Sequence, residues 1–196
     1  MKPFSEACEQ NKWPILEVLR IEFKDATCVL EIGSGTGQHA VFFGTQLPHL
    51  HWHTSDVDAH HAGIQMWLDE AGLANVFSPI NLDVAHPQWP TQLFDGVFSA
   101  NTTHIMSWPE VEQMMAGIGR VLQNQGRFCL YGPFNQNGDY TSASNASFDA
   151  WLKQRDPQSG IRDMEALIEL AAGQQLEFAR VVEMPANNKI LVWHKR

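Results

Sequence analysis

Short apolar runs alternate with helically spaced apolar stripes along nearly the whole of this chain. Ile15, Leu16, Val18, Leu19 and Phe23 recur at helical spacing behind Pro14, which predicts a helix over 14–23 with the proline near its start. Cys28 to Ile32 is a short apolar run ending in a glycine loop and predicts a buried strand. A helix is expected from His39 to Leu47, a second strand from Leu50 to Ser55 ending at Asp56, a helix around Gly63 to Ala71, and a third strand from Phe77 to Leu82 ending at Asp83. Gly96 to Ala100 predicts a fourth strand. Val111, Met114, Met115, Ile118, Val121 and Leu122 form one helical stripe, and Arg127 to Tyr131 predicts the strand after it.

This alternation implies an α/β fold, a parallel sheet covered by helices on both faces. The end of the chain departs from the pattern. After a helix around Met164 to Ala172, strands over Glu177 to Met184 and Lys189 to His194 are joined only by Pro185-Ala186-Asn187-Asn188. That connection is too short for a parallel crossover, so a hairpin with an antiparallel last strand is expected. Residues 135–160 are polar and rich in Ser, Asn, Gln and Gly, with a short amphipathic piece carrying Phe148, Trp151 and Leu152. They read as an insertion or lid on a single domain spanning 1–196, whose first residues, 1–24, form an N-terminal cover.

Composition narrows the partners. The 196 residues are 44% hydrophobic and 18% charged, the balance of an ordinary globular protein with one core. A net charge of -9 disfavours nucleic acid as a partner, since affinity for a phosphate backbone rests on clustered Lys and Arg. Local basic spots remain around Lys153, Arg155 and Arg162. Cys8, Cys28 and Cys129 are odd in number and widely spaced, and give neither a disulfide framework nor a CxxC metal pair. The N-terminus lacks the apolar core of a secretory signal, and no run approaches the ~20 apolar residues of a membrane span. The expectation is a soluble, cytoplasmic protein with no membrane partner; the oligomeric state is left open.

The candidate chemistry starts at Glu31-Ile32-Gly33-Ser34-Gly35-Thr36-Gly37, where a strand runs into a glycine loop and then a helix. Open α/β sheets bind ligands at such carboxyl edges. A dinucleotide fingerprint would place its third glycine or alanine at position 38, which is Gln38. Between Lys24 and Arg120 there is no lysine or arginine to match phosphates, whereas Glu31, Asp56, Asp58, Asp83 and Asp95 lie in that stretch. The expected ligand therefore carries adenosine without phosphates and is itself cationic, a description that S-adenosyl-L-methionine fits. In this reading Gly33, Ser34, Gly35 and Gly37 lie under its methionine part. Asp56 accepts both ribose hydroxyls, with Asp58 as a competing candidate, and Asp83 accepts from the adenine amino group. Glu31, one residue inside the strand end, needs a cation or several donors to offset its burial.

These residues resemble the class I S-adenosylmethionine-dependent methyltransferases. Leu30 to Gly37 is similar to their first motif, Asp56 to their second and Asp83 to their third; Phe94 to Asn101 resembles their fourth-strand segment. Val121 to Phe128 resembles the turn before the fifth strand, with Gln125 where glycine is common. More narrowly, the chain looks like an uncharacterised methyltransferase-like family of bacteria and animals long catalogued as a domain of unknown function. The strings that carry this are Phe4-Ser5-Glu6-Ala7-Cys8-Glu9 with Asn11-Lys12, Gly35 to Ala40, Ser55 to Asp58, Tyr131-Gly132-Pro133-Phe134 and Glu183 to Asn188. The resemblance implies a Rossmann-like sheet of seven strands in the order 3-2-1-4-5-7-6 and S-adenosyl-L-methionine as cofactor. It implies no particular acceptor.

Methyl transfer from a sulfonium rests on positioning and exclusion of water, and needs a base only when the acceptor carries a proton. His104, just past the fourth strand, is the candidate base. Asn101 joins the cofactor set, and Tyr131, Pro133 and Phe134 would line the acceptor side, with Asn187 and Asn188 reaching the same mouth. Ser5, Glu9 and Asn11 could belong to the cover over the cofactor. His49-x-His51-x-His53 share one strand face, but a buried second strand has little room for hydrated zinc, so no metal is expected. The leading reading is a methyltransferase of a small molecule. A methyltransferase of a protein or nucleic acid, and a binding protein for the cofactor or its product, stay open beside it.

Overall fold

The chain was analysed as a computed structural model, which describes residues 1–86 and 88–196. Strand β1 (Cys28–Ile32) buries Val29, Leu30 and Ile32 on its two sides, as a central parallel strand must. It pairs in parallel with β2 (His51–Asp56) and, on its other side, with β4 (Phe94–Ala100). β3 (Val76–Asn81) extends the sheet beyond β2, and β5 (Leu122–Gly132) extends it beyond β4, both in parallel. A two-residue pair, β6 (Phe134–Asn135) with β7 (Arg162–Asp163), stands apart. The chain closes with β8 (Leu176–Met184) and β9 (Asn188–Lys195), an antiparallel hairpin whose β9 pairs antiparallel with β5.

The seven-stranded order is β3-β2-β1-β4-β5-β9-β8. With the short pair β6 and β7 left out of the numbering, this is the order expected from the resemblance. Alternate strand residues feed two cores. Leu30, Ile32, Phe128 and Leu130 pack with Met114 and Ile118 of α4 (Trp108–Val121) and Leu167 of α6 (Met164–Ala172). Val29, Phe98 and Cys129 pack with Leu16 of α1 (Glu6–Glu22), Phe43 of α2 (Gln38–Gln46) and Ile64 of α3 (Asp58–Ala71).

Three boundaries depart from the sequence reading. Helix α1 starts at Glu6, capped by the Ser5 side chain, and Pro14 lies inside it rather than near its start. The proline costs the helix one N–H bond, and the buried stripe Ile15, Leu16 and Leu19 keeps the helix on the sheet. Strand β5 begins at Leu122, directly after α4, and turns at Gln125 with a φ of 68°, a left-handed backbone where glycine would be free of strain. Within 135–160 the amphipathic piece is a full helix, α5 (Ala143–Arg155), with Ser142 as its cap. Buried Asp149 holds it down: its carboxylate accepts from Ile161 N at 2.7 Å and Tyr140 Oη at 2.6 Å, and pairs with Lys153 Nζ at 2.6 Å.

Candidate functional site

The carboxyl ends of β1, β4 and β5 open into a cavity of about 860 Å³. Its first wall is the glycine loop. Gly33 N and Ser34 N both donate to Ser55 O, at 3.0 and 2.9 Å, and Gly37 N donates to Ser34 O at 2.9 Å. Gly35 N donates to Asp56 Oδ2 at 2.7 Å. These amides are occupied within the protein, so the loop offers no free row of N–H groups for phosphates. Two of the glycines are required by space as well as by backbone. At Gly33, with a φ of +72°, a Cβ would sit 2.6 Å from Thr102 Cγ2, and at Gly37, with a φ of +88°, 3.1 Å from Ile64 Cα.

The acidic residues sit behind this wall or away from it, and none of them lines the cavity. Glu31 is 2% exposed. Its Oε2 accepts from Ser34 Oγ at 2.9 Å and Trp52 Nε1 at 3.1 Å. Burial pushes its carboxyl up to about 7, opposed by those two bonds and reinforced by the Asp56 charge. Asp56 ends β2; its Oδ1 accepts from Val57 N at 2.8 Å and lies 2.7 Å from His60 Nδ1. Asp83 stands past the end of β3 and accepts from Ala85 N at 2.9 Å, closing a local turn. Asp58 is the first residue of α3, exposed and 3.8 Å from His61 Nδ1. Asp95 corrects an expectation: it caps the other edge of the sheet, its Oδ2 accepting from Thr27 N at 2.7 Å and Cys28 N at 2.8 Å, where β1 begins. Strand β4 carries it at its amino end, far from the loops that open at the carboxyl end.

The N-terminal residues close over the glycine loop through Gln38. Its Oε1 accepts from Ser5 N at 2.5 Å and from Thr36 Oγ1 at 3.0 Å, while its Nε2 donates to Glu9 Oε1 at 3.1 Å. One turn on, Asn11 Oδ1 lies 2.7 Å from His39 Nε2, and Cys8 Sγ 4.0 Å from His39 Nδ1. Burial holds the His39 imidazole down at about 4, with the Glu9 charge opposing. Burial also pushes the Cys8 thiol and the Tyr131 phenol up, the latter against a hydrogen bond with Asn11. Cys8, Asn11, His39 and Tyr131 all face the cavity.

The opposite wall follows β4. Asn101 takes a left-handed φ of 60°, with its N–H donating to Tyr131 O at 2.9 Å. His104 is 6% exposed and its Nδ1 has no hydrogen-bond partner. Burial depresses its imidazole to about 4, and the Arg162 guanidinium adds to this. Gly132 lies beside both groups: a Cβ there would stand 3.9 Å from His104 Nδ1 and 4.0 Å from Asn101 Oδ1, ordinary contact distances. Pro133 and Asn187 line the cavity as expected. Phe134 does not. It is wholly buried in the core with Phe128 and Leu130, on the face of the sheet opposite to that of Tyr131.

Helix α5 completes the enclosure with Phe148, Trp151 and Arg155, and Asn187 is tied to it: Asn187 Nδ2 donates to Ser144 Oγ at 3.1 Å and Asn187 O accepts from Asn145 Nδ2 at 3.2 Å. Sequence reasoning missed Gln38, His39 and Arg155 as site residues. The i, i+3, i+7 spacing of Phe148, Trp151 and Arg155 was a signal that they share one helix face. Among the described residues no cluster of His, Cys, Asp and Glu is arranged to hold a metal ion. His49 Nε2 lies 3.2 Å from Phe23 O and His53 stacks on Phe77. Among the described residues no helix is long and apolar enough to cross a membrane.

Comparison with known proteins adds a family and a fold. The model of a family described as "Protein of unknown function (DUF938)" matches residues 2–195. Among solved structures, the chain is similar to an O-methyltransferase family protein from Burkholderia thailandensis, at 12% identity and a TM-score of 0.83, over 94% of this chain and 56% of that one. An O-methyltransferase family 2 protein from Planctomyces limnophilus in complex with apigenin matches at 14% identity and 0.83, over 95% and 56%. PigF with SAH matches at 14% identity and 0.79, over 93% and 55%. The chain thus spans little more than half the length of these structures, and at such identities the likeness is one of fold.

Proposed function

The chain belongs to the DUF938 family, and on that premise we propose that it transfers the methyl group of S-adenosyl-L-methionine to a hydroxyl of a small molecule. The observation that carries this reading is the meeting, in one cavity, of the Gly33–Thr36 loop and His104. Fold neighbours that are O-methyltransferases, one of them with SAH and one with apigenin, support the cofactor and the class of acceptor.

The residues present suit that cofactor. A carboxyl raised to about 7 under Ser34 is a group that a nearby cation would ionise, and Glu31 is such a group. The glycine loop has its amides engaged and no lysine or arginine beside it, which fits a ligand without phosphates. Asp56 would exchange Gly35 N or His60 for the ribose hydroxyls, and Asp83 would exchange its local turn for the adenine amino group. When bound, S-adenosyl-L-methionine supplies a sulfonium methyl whose carbon bonds to the acceptor oxygen as its bond to sulfur breaks, leaving a neutral thioether.

The chain's own residues do the rest. His104, neutral at physiological pH because its imidazole is depressed to about 4, takes the hydroxyl proton. Asn101 and Tyr131 orient the reacting groups beside it, and α5 acts as the lid that excludes water. The test is incubation of the purified chain with methyl-labelled S-adenosyl-L-methionine and a cell extract separated by size. Label in the small-molecule fraction, lost in His104→Ala, is the expected result. Label only in protein or nucleic acid would overturn the small-molecule reading.

A further inference from the structure

We infer that the acceptor is an elongated, anionic compound whose acid is read by Arg155 at one end of the cavity while its hydroxyl lies at His104 at the other. The inference rests on the methyltransferase reading above and adds the substrate class. Its first support is charge. In a chain with 22 acidic residues, the cavity lining includes no Asp, Glu or Lys, and its single ionised side chain is Arg155. A lining of that kind disfavours a cationic acceptor, which would lose its hydration for no counter-charge.

The second support is that Arg155 is the cation of its neighbourhood left without a partner. Lys153 pairs with Asp149 at 2.6 Å. The Arg162 guanidinium donates to Thr103 O at 2.9 Å, to Gln158 O at 2.8 Å and to Met106 O, which fixes the turn that carries His104. Among the described residues Arg155 has no carboxylate within ion-pair distance; its guanidinium lies over the Trp151 ring, 4.6 Å from the centroid. A guanidinium held flat by an aromatic face keeps its fork free for a carboxylate.

The third support is the spacing between the two ends. Phe148 and Trp151 stack with centroids 5.7 Å apart and planes 17° from parallel, an apolar wall of the cavity between the two ends. The His104 ring meets Phe148 edge-on at 5.3 Å, so His104 stands at the level of Phe148. Arg155 is two turns further along the same helix face, about 10 Å by helical rise, and its fold back over Trp151 shortens the gap. A hydroxy acid with its two polar ends set apart by a ring and a short spacer matches this length.

The probes are 4-hydroxycinnamate, its neutral amide, and the cationic tyramine, each titrated calorimetrically into the full chain saturated with S-adenosylhomocysteine. The acid is expected to bind at least tenfold tighter than the amide, and tyramine more weakly than both. Arg155→Gln should bring the acid down to the level of the amide while the affinity for S-adenosylhomocysteine stays the same. Equal binding of acid and amide, no binding of the acid, or a preference that survives Arg155→Gln overturns the inference. The preliminary titration with S-adenosylhomocysteine separates the two levels: its failure removes the methyltransferase reading itself, whereas its success with no preference for the acid removes only the anionic acceptor.

Discussion

The two sides of the site are built in opposite ways. On the side assigned to the adenosine, every functional group already has a partner: the glycine amides reach Ser55 and Asp56, Asp56 holds His60, Asp83 closes its own turn, and Glu31 is bonded to Ser34 and Trp52. On the acceptor side, His104 Nδ1 is buried without a partner and Arg155 has no carboxylate, around a cavity of about 860 Å³. The first side binds by exchanging one set of hydrogen bonds for another, with a small net gain for each. The second holds one buried polar atom, His104 Nδ1, whose desolvation has already been met and which gains more from a new contact, beside an exposed Arg155 that can pair with a charge. Substitutions should therefore act mainly on affinity in the first and on turnover or acceptor choice in the second.

The largest effect is expected from His104→Ala. Loss of a positioned base lowers kcat by ~10²–10⁴-fold, while the affinity for S-adenosylhomocysteine, measured by calorimetry, should change by no more than about twofold, since the residue belongs to the other side. A matching loss of cofactor affinity would erase the division. Asp56→Ala comes next. It removes the acceptor of Gly35 N together with the proposed ribose contact, for a weakening of cofactor binding by about 10–100-fold at ~1–3 kcal/mol for a charged hydrogen-bond partner, with the far-ultraviolet circular dichroism unchanged. Unaltered affinity would move the ribose role to Asp58.

Gln38→Ala tests the latch between the N-terminal helix and the glycine loop. Four bonds go, at ~0.5–1.5 kcal/mol each, partly replaced by water. Amide exchange over residues 5–12 should accelerate clearly, and cofactor affinity should fall several-fold. Unchanged exchange would show that the apolar stripe of α1 suffices to hold it.

The effects of pH fall on stability and cofactor affinity rather than on turnover. The Glu31 carboxyl is raised in the folded chain from 4.5 to about 7, so the folded state prefers it protonated. The stability this confers is complete at low pH and is lost as pH rises from about 4.5 through 7. His39 and His104 run the other way: with imidazoles depressed from 6.5 to about 4, their contribution is present above 6.5 and is lost as pH falls towards 4. Denaturant midpoints across pH 4–8 should show both limbs, and Glu31→Gln should remove the upper one alone. Affinity for the cationic cofactor should rise with pH and level off above about 7 as Glu31 ionises, and the same variant should flatten that profile.

Most of the architecture was legible because β1, β4 and β5 carry short apolar runs, and β1, β2 and β5 end at or beside a glycine or an acid. The hairpin of β8 and β9 followed from the mere shortness of Pro185–Asn187. What escaped was tertiary. Asp95 is as acidic as Asp56 and as close in sequence to a strand, but it stands at the beginning of β4 and not at an end. Phe134 shares its string with Tyr131 and Pro133, but it packs into the core on the opposite face of the sheet. Gln38 weighed against a dinucleotide fingerprint, yet its three bonds to Ser5 and Glu9 become visible only once α1 is laid across the loop. Arg155 differs from Lys153 and Arg162 solely in what surrounds it.

The central claim is that this cavity holds S-adenosyl-L-methionine. Titration calorimetry of the purified, ligand-free chain with S-adenosyl-L-methionine, S-adenosylhomocysteine and NAD tests it most directly. The account predicts saturable binding of the first two with one site per chain, and none of the third. Binding of NAD alone, or of none of them by a chain shown to be folded, would contradict it.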